Sequence, residues 1–185
     1  FPPDDLPRVP AQANPTGVYR RRFDLPKGWA GRRIYLTFHG VDSAFHLWLN
    51  GVEVGFSKDS RLPAEFDVTD HVQPTGNVLA VRVYRWSDGT YVENQDMWRL
   101  SGIFRDVELW SAAPLHVQDL HHHVTFDAAY RDAVLHVSAT LVNADPAAAT
   151  VQAQMGATLR LFDPAGYLVT TATTTVELPA PGDHS

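Results

Sequence analysis

The sequence predicts an all-β protein: a jelly-roll β-sandwich followed by a partial immunoglobulin-like β-sandwich. Three observations support this class: short segments with alternating apolar and polar residues, turn-forming residues between them, and no pattern for a helix of three turns. Alternation with a period of two indicates half-buried strands. Several short strands at regular spacing, without intervening helices, are typical of a sandwich or jelly roll.

The elements of the first domain, residues 17–113, follow from local patterns. Ile34, Leu36 and Phe38 alternate with polar residues and predict a half-buried strand. Asn50-Gly51 predicts a hairpin, because both residues tolerate positive φ. Turn residues at 63, 67–70, 74–76 and 88–89 separate the other segments. The candidate strands are Val18–Leu25, Arg33–His39, Ala44–Asn50, Val52–Phe56, Val78–Trp86 and Ile103–Trp110.

The flanking regions have a different texture. Residues 1–16 contain five prolines, which cannot donate to a sheet, so we expect an extended surface segment. A boundary is indicated at 111–114, and residues 114–185 are rich in Thr, Val and Ala. About four strands are found there against the ~7 of an immunoglobulin-like fold, so we expect a truncated domain. These strands are Leu115–Phe126, Ala133–Val142, Ala157–Phe162 and Tyr167–Leu178, with turns at Asp145-Pro146 and 163–166.

Composition excludes several classes of function. Hydrophobic residues make up 44% of the 185 residues, which indicates a globular protein, and the net charge of −6 argues against nucleic-acid binding. Arg20, Arg21 and Arg22 alternate sides of a strand and are interpreted as solvated or paired. Absence of cysteine excludes disulfides and fits a cytoplasmic protein. No apolar stretch predicts a membrane span, and the opening Phe1 indicates a piece of a longer protein.

Two long stretches carry a family resemblance. The first runs from Val41 to Asp67 and the second from Arg85 to Val107, with Asn14-Pro15-Thr16-Gly17 in addition. Together they resemble the sugar-binding domain of bacterial β-galactosidases of glycoside hydrolase family 2. The Trp98…Ser101–Arg105 core is similar to the whole family, whereas Gln95–Trp98 and Asp59–Pro63 are similar to the β-galactosidase branch. The resemblance covers about residues 14–110.

The resemblance implies a modular enzyme. Its jelly roll precedes an immunoglobulin-like domain and a TIM barrel that carries the catalytic carboxylates. Such enzymes hydrolyse terminal β-galactosides with retention, use magnesium and in many members sodium, and form homo-oligomers. A TIM barrel needs ~250 residues of alternating strand and helix, so we expect no catalytic residue in this chain and an inactive fragment when it is isolated.

The resemblance also singles out Asp96. It implies that this carboxylate binds sodium and accepts a hydrogen bond from the galactose 6-hydroxyl, on a loop with Asn94, Gln95, Trp98 and Arg99. Carboxylate oxygens suit both a hard cation and a sugar hydroxyl. Without the resemblance, Asp96 could be interpreted as a solvated or turn-capping aspartate.

Other residues have a structural and a functional interpretation. Trp86 and Trp98 could stack on a sugar, but core packing is favoured. Arg99 and Arg105 are expected to anchor the loop by pairing with a carboxylate. Asp59, Arg61 and Glu65 are interpreted as an ion-pair network or a subunit contact.

Two apparent catalytic or metal motifs are weak. Retaining glycosidases need two carboxylates about 5 Å apart, and nothing in the sequence brings any two of Glu53, Glu65 and Glu93 together. In His121-His122-His123 only the outer two share a strand face, which gives fewer ligands than zinc needs. His39 and His46 are interpreted as structural histidines with satisfied hydrogen bonds.

Three hypotheses about function remain at this point. The chain is a fragment of a β-galactosidase that supplies Asp96, a free-standing carbohydrate-binding module, or a scaffold for a barrel or an oligomer. The second rests on an analogy of fold, which does not by itself imply function.

Overall fold

The computed structural model describes residues 8–10, 12–93, 95–96, 98–144 and 154–177. Within these ranges the chain is almost entirely β-structure, which confirms the predicted class. Contacts divide it after Ala112 into two compact units. Residues 1–7 of the proline-rich segment, the Asp145-Pro146 turn and the tail from 178 onward lie outside the described residues.

The first unit is a β-sandwich of antiparallel strands. One sheet has the order β1-β7-β4-β5, a second has the order β6-β2-β9, and β3 pairs with β8. The strands are β1 Thr16–Phe23, β2 Arg33–Phe38, β3 Val41–Asp42, β4 Ala44–Leu49, β5 Val52–Lys58, β6 Ala64–Asp67, β7 Asn77–Tyr84, β8 Gly102–Ile103 and β9 Val107–Ala112, with a 3₁₀ turn at Thr69–His71 and the short helix α1 at Gly89–Val92.

The core lies between the two larger sheets. Alternate residues of β2, β4 and β7 point inward, as the period-two patterns predict. Phe38 stacks at a tilt on Phe45 across the sheets, with ring centroids 4.7 Å apart. The buried apolar side chains are Ile34, Leu36, Phe38, Val41, Phe45, Leu47, Leu49, Val68, Leu79, Val81 and Val83. Each contributes roughly 1.5–3 kcal/mol by leaving water.

The Asn50-Gly51 hairpin is confirmed. Both residues have positive φ, 53° and 85°, and join β4 to β5. The Asn50 side chain also accepts from the Val78 amide at 2.8 Å and donates to the buried Asn77 at 3.0 Å. The turn is therefore fixed to β7 as well as to its own hairpin.

One predicted strand is divided in the structure, and the short strands β3 and β6 have no counterpart in the predicted set. The predicted strand Ile103–Trp110 is two strands, because the Phe104 amide donates to the Gly40 carbonyl and the His39 amide to the Asp106 carbonyl. These bonds turn the chain from the β3–β8 pair to the β2–β9 pair. Strand β6 was not predicted. It follows Pro63, and it pairs with β2 through long-range contacts that no local pattern indicates.

The second unit consists of two antiparallel hairpins. β10 (Leu115–Phe126) pairs with β11 (Ala133–Asn143), and β12 (Gln154–Phe162) pairs with β13 (Leu168–Glu177). Asp127 and Asp163 cap the two turns by accepting backbone hydrogen bonds. The immunoglobulin-like assignment and the domain boundaries stay predictions.

No helix in the described ranges is long and apolar enough to cross a bilayer.

Candidate functional site

The loop that carries Asp96 begins at the end of β7. The Asp88 carboxylate caps α1 by accepting from the Gly89 amide at 3.0 Å, and it pairs with the Lys58 ammonium at 2.6 Å. The hydrogen bond from Lys58 holds the pKa of Asp88 below its usual value. The chain then leaves α1 and reaches β8 through residues 93–101, which we call the 93–101 loop. Asn94 and Met97 lie outside the described residues.

Glu93 fixes the first end of this loop. Its backbone N–H donates to the Gly89 carbonyl at 2.8 Å and closes α1. Its carboxylate accepts two hydrogen bonds from Ser60, one from the amide at 2.8 Å and one from the hydroxyl at 2.6 Å. The loop is thus tied to the turn that follows β5.

Asp42 fixes the second end. Its carboxylate accepts from the Ser101 amide at 3.2 Å. Ser101 and Gly102 have φ of 57° and 80°, and β3 pairs with β8 directly beyond them. The positive φ of Gly102 favours glycine at this position, and an added Cβ would also displace the Tyr19 hydroxyl, 2.8 Å away.

Arg61 supports the middle of the loop. Its guanidinium donates to the Trp98 carbonyl at 3.0 Å and lies over the Phe104 ring. Arg105 in turn donates to the carbonyls of Arg61, at 2.9 Å, and His39, at 3.2 Å. Arg105 is therefore an anchor, as expected, but these recorded partners are carbonyl oxygens rather than the predicted carboxylate.

The residues behind the loop line a partly open space of about 20 Å³, enough for one water molecule. It is lined by Asp42, Arg61, Arg85, Trp86, Thr90, Glu93, Arg99 and Ser101. A sugar pocket needs roughly 300 Å³ or more. The space therefore does not hold a sugar, and what the loop offers a ligand is its outer surface.

That outer surface is exposed and partly apolar. Gln95 and Asp96 are exposed, and Arg99, which also lines the space described above, is exposed in part of its surface. Trp98 is 85% exposed, so the expectation that it packs in the core is wrong. The neighbouring Val92 and Leu100 and the nearby turn residue Leu62 are exposed as well.

Trp86 is half-buried and belongs to the support of the loop. Its amide donates to the Asn14 side-chain oxygen at 2.9 Å, and its carbonyl accepts from the Asn14 side-chain nitrogen at 2.8 Å. The Arg85 guanidinium covers its ring at 5.0 Å. The preference for a structural role agrees with these contacts.

The acidic residues on either side of Pro63, Asp59 and Glu65, accept hydrogen bonds from different groups. Asp59 caps a turn by accepting from the amides of Arg61 and Leu62. Glu65 accepts from the Thr37 hydroxyl at 3.1 Å. Glu53 pairs with His46 at 2.9 Å, and His39 pairs with Glu108 at the same distance. Glu53, Glu65 and Glu93 therefore bind different partners, and the two structural histidines are hydrogen-bonded as predicted.

The histidines of β10 lie close to a further histidine, His136, whose proximity no sequence pattern predicts. The His123 ring stacks on His136 of β11, with centroids 4.4 Å apart and planes 5° apart, and His121 lies 5.9 Å from His123. His136 is reached only through the cross-strand register. Across the described part of the chain, no group of three or more metal-ligating side chains is arranged to hold an ion.

Sequence reasoning singled out Asp96 but missed Asp42 and Ser60 and did not recognise the anchoring role of Glu93. Asp42 and Ser101 are 59 positions apart, and Ser60 and Glu93 are 33 apart. No local pattern signals contacts of this range.

Comparison with known proteins adds the family. A family model for glycosyl hydrolases family 2, sugar binding domain, matches residues 3–113. A β-galactosidase from Psychromonas ingrahamii is 49% identical over 160 residues, which cover 86% of this chain and 15% of that protein. One from Aeromonas hydrophila is 52% identical over 142 residues, covering 76% of this chain and 14% of that protein.

A solved structure supports the fold. Bacteroides uniformis β-glucuronidase superimposes with a TM-score of 0.79 at 25% identity, over 90% of this chain and 20% of that one. The chain spans about 15% of the length of the β-galactosidases it matches. On the match to residues 3–113, the chain belongs to glycosyl hydrolases family 2 and carries the sugar binding domain of that family.

Proposed function

We propose that this chain forms one edge of the galactose site of a retaining β-galactosidase. The observation that carries the proposal is the exposed Asp96 carboxylate on a loop whose two ends are anchored by partly buried hydrogen bonds. The relatives at 49–52% identity are β-galactosidases, which supports galactosides as the substrate class. The catalytic carboxylates belong to a TIM barrel elsewhere in the complete protein.

Asp96 has two roles in this proposal: it accepts a hydrogen bond from the substrate and it is a ligand of sodium. Its carboxylate accepts a hydrogen bond from the galactose 6-hydroxyl, and the exposed oxygens fit sodium, a hard cation. One carboxylate is an incomplete cation site, so the remaining ligands come from outside the described residues. When bound, sodium supplies a fixed positive charge that orients the same hydroxyl. Gln95 and Arg99 form the polar surroundings of Asp96.

The other partners follow from the same proposal. The exposed surface of Val92, Trp98, Leu100 and Leu62 fits burial against the barrel of the complete protein. Magnesium binds to residues of that barrel and assists its reaction. The complete protein is a cytoplasmic homo-oligomer.

Asp96→Asn in the full-length protein tests the role of this carboxylate. We expect kcat/KM for a nitrophenyl β-galactoside to fall at least tenfold and the activation by sodium to be lost, because the amide is neutral. The matching β-D-fucoside, which lacks the 6-hydroxyl, should lose less. Asp70→Asn, an exposed carboxylate on the 3₁₀ turn, is the control and should leave both substrates unchanged.

The isolated chain tests the wider assignment. Expressed in a host without its own β-galactosidase, it should not hydrolyse a β-galactoside at a measurable rate. Hydrolysis by the isolated chain would overturn the proposal. Calorimetric binding of galactose at millimolar or tighter affinity would favour an autonomous carbohydrate-binding module, and unchanged kcat/KM and sodium response in Asp96→Asn would favour a pure scaffold.

A further inference from the structure

Two acidic side chains at opposite ends of the 93–101 loop turn inward instead of toward solvent. Glu93 reaches Ser60 through both carboxylate oxygens, at 2.8 Å and 2.6 Å. Asp42 lies on the other side of the same serine, with one oxygen 3.4 Å from the Ser60 hydroxyl and the other 3.2 Å from the Ser101 amide. Ser60 therefore stands between the two ends of the loop.

Because Ser60 and Asp42 are buried, their polar atoms need hydrogen-bond partners within the protein. Ser60 is 1% exposed and Asp42 is 8% exposed. A carboxylate removed from water is costly unless its oxygens are hydrogen-bonded. The 2.6 Å contact from the Ser60 hydroxyl to Glu93 has the length of a charge-assisted hydrogen bond. Arg61, Arg85 and Arg99 line a small, partly open space together with Asp42 and Glu93, and they supply positive charge there. The loop ends are thus held in one arrangement.

We propose that Ser60 and Glu93 are positioning residues for Asp96. Their hydrogen bonds fix the start of the loop, while Asp42 fixes its end, so the Asp96 carboxylate is presented at one distance from its ligand. The inference rests on the proposed function of Asp96 and adds two residues that touch neither substrate nor ion. Misplacement of a contact by about 1 Å can reduce a rate roughly a hundredfold.

The test uses Ser60→Ala and Glu93→Gln in the full-length protein, since both changes leave the volume of the buried site almost unchanged. We expect each to lower kcat/KM for a nitrophenyl β-galactoside about tenfold and to raise the sodium concentration needed for half-maximal activity. The β-D-fucoside should lose less than threefold, because it lacks the hydroxyl that Asp96 binds. Combined with Asp96→Asn, neither change should add a further loss.

Two controls separate positioning from general damage. Glu53→Gln removes a carboxylate that pairs with His46 at the surface, and it should behave like the unaltered protein. Hydrogen exchange of the peptide covering 93–101 should accelerate in Ser60→Ala and Glu93→Gln, while the exchange of β4 and β7 stays unchanged.

The outcomes distinguish this inference from the proposed function. Equal losses for galactoside and fucoside would show a general structural role and overturn the inference. Unaltered kinetics in Ser60→Ala and Glu93→Gln, with a strong effect of Asp96→Asn, would overturn the inference alone. No effect of Asp96→Asn would overturn the proposed function and the inference with it.

Discussion

The two units of the chain differ in how far they bury the apolar side chains of their strands. In the first, two sheets cover each other and bury side chains such as Phe38, Leu47 and Val83 almost completely. In the second, two long hairpins leave most apolar side chains open, including Leu120, Phe126 and Phe162. Hydrogen bonds between two strands therefore form a hairpin without a core. A hydrophobic core requires a second sheet that covers the apolar face of the first.

The difference shows what a sheet needs for independent stability. A two-stranded hairpin is marginal in water, and three or more strands with a covered apolar face are required. The first unit meets this condition within its own residues. The second has alternating strands, and most of the apolar side chains of its two hairpins are exposed.

Leu47→Ala and Leu120→Ala give the sharpest test of this contrast. Leu47 is 0% exposed and Leu120 is 57% exposed. We expect Leu47→Ala to lower the free energy of unfolding by about 2–5 kcal/mol, because it leaves a cavity in a packed core. Leu120→Ala should change it by about 0.5 kcal/mol or less. Urea unfolding of the 185-residue chain measures both, and similar losses would show that the second unit has a core of its own.

Asp67 adds an acid-sensitive contact to the first unit. Partial burial acts to raise the pKa of Asp67, but hydrogen bonds from Thr69 and Arg33 and the charge of Arg33 outweigh it, so its pKa lies below the usual value. Because the pKa of Asp67 is lower in the folded state, its ionised carboxylate stabilises the fold at pH values above the unfolded-state pKa of about 4. This stabilisation is lost as the pH falls through the folded-state pKa.

Asp67→Asn should therefore lower stability at pH 7 by about 1 kcal/mol or less, since the pair with Arg33 is partly exposed. It should also flatten the decline in stability below about pH 4. Urea unfolding between pH 2 and 7 checks both effects. Asp132→Asn, an exposed carboxylate of the second unit, is the control; an unaltered acid slope in Asp67→Asn would contradict the assignment.

The smallest effect is expected at the histidines of the second unit. Among the described residues, His121, His123 and His136 form no group of three arranged to hold a metal ion. Zinc needs three or four converging ligands, so zinc chloride should not raise the thermal midpoint of the chain. A rise that His136→Ala removes would instead establish a metal site on this hairpin.

Much of the fold could be predicted, since its strands are encoded locally. Alternation places β2, β4 and β7, and Asn50-Gly51 fixes a hairpin. The strand β6 and the division between β8 and β9 escaped prediction because long-range pairing decides both.

The candidate site was less predictable. Asp96 emerged only through resemblance, and its anchors depend on contacts that the fold creates. The exposure of Trp98 contradicts a sound general preference, because large aromatic residues are more often buried in cores. A side chain that violates this preference beside a polar loop is itself a signal of an interaction surface.

The anchors of the 93–101 loop are continuous with the framework of the sandwich. Asp42 belongs to β3, directly before β4, and Ser60 follows the end of β5, where Ala44 and Lys58 are cross-strand neighbours. A change in the geometry of the β4–β5 hairpin would therefore also shift the anchors of the 93–101 loop.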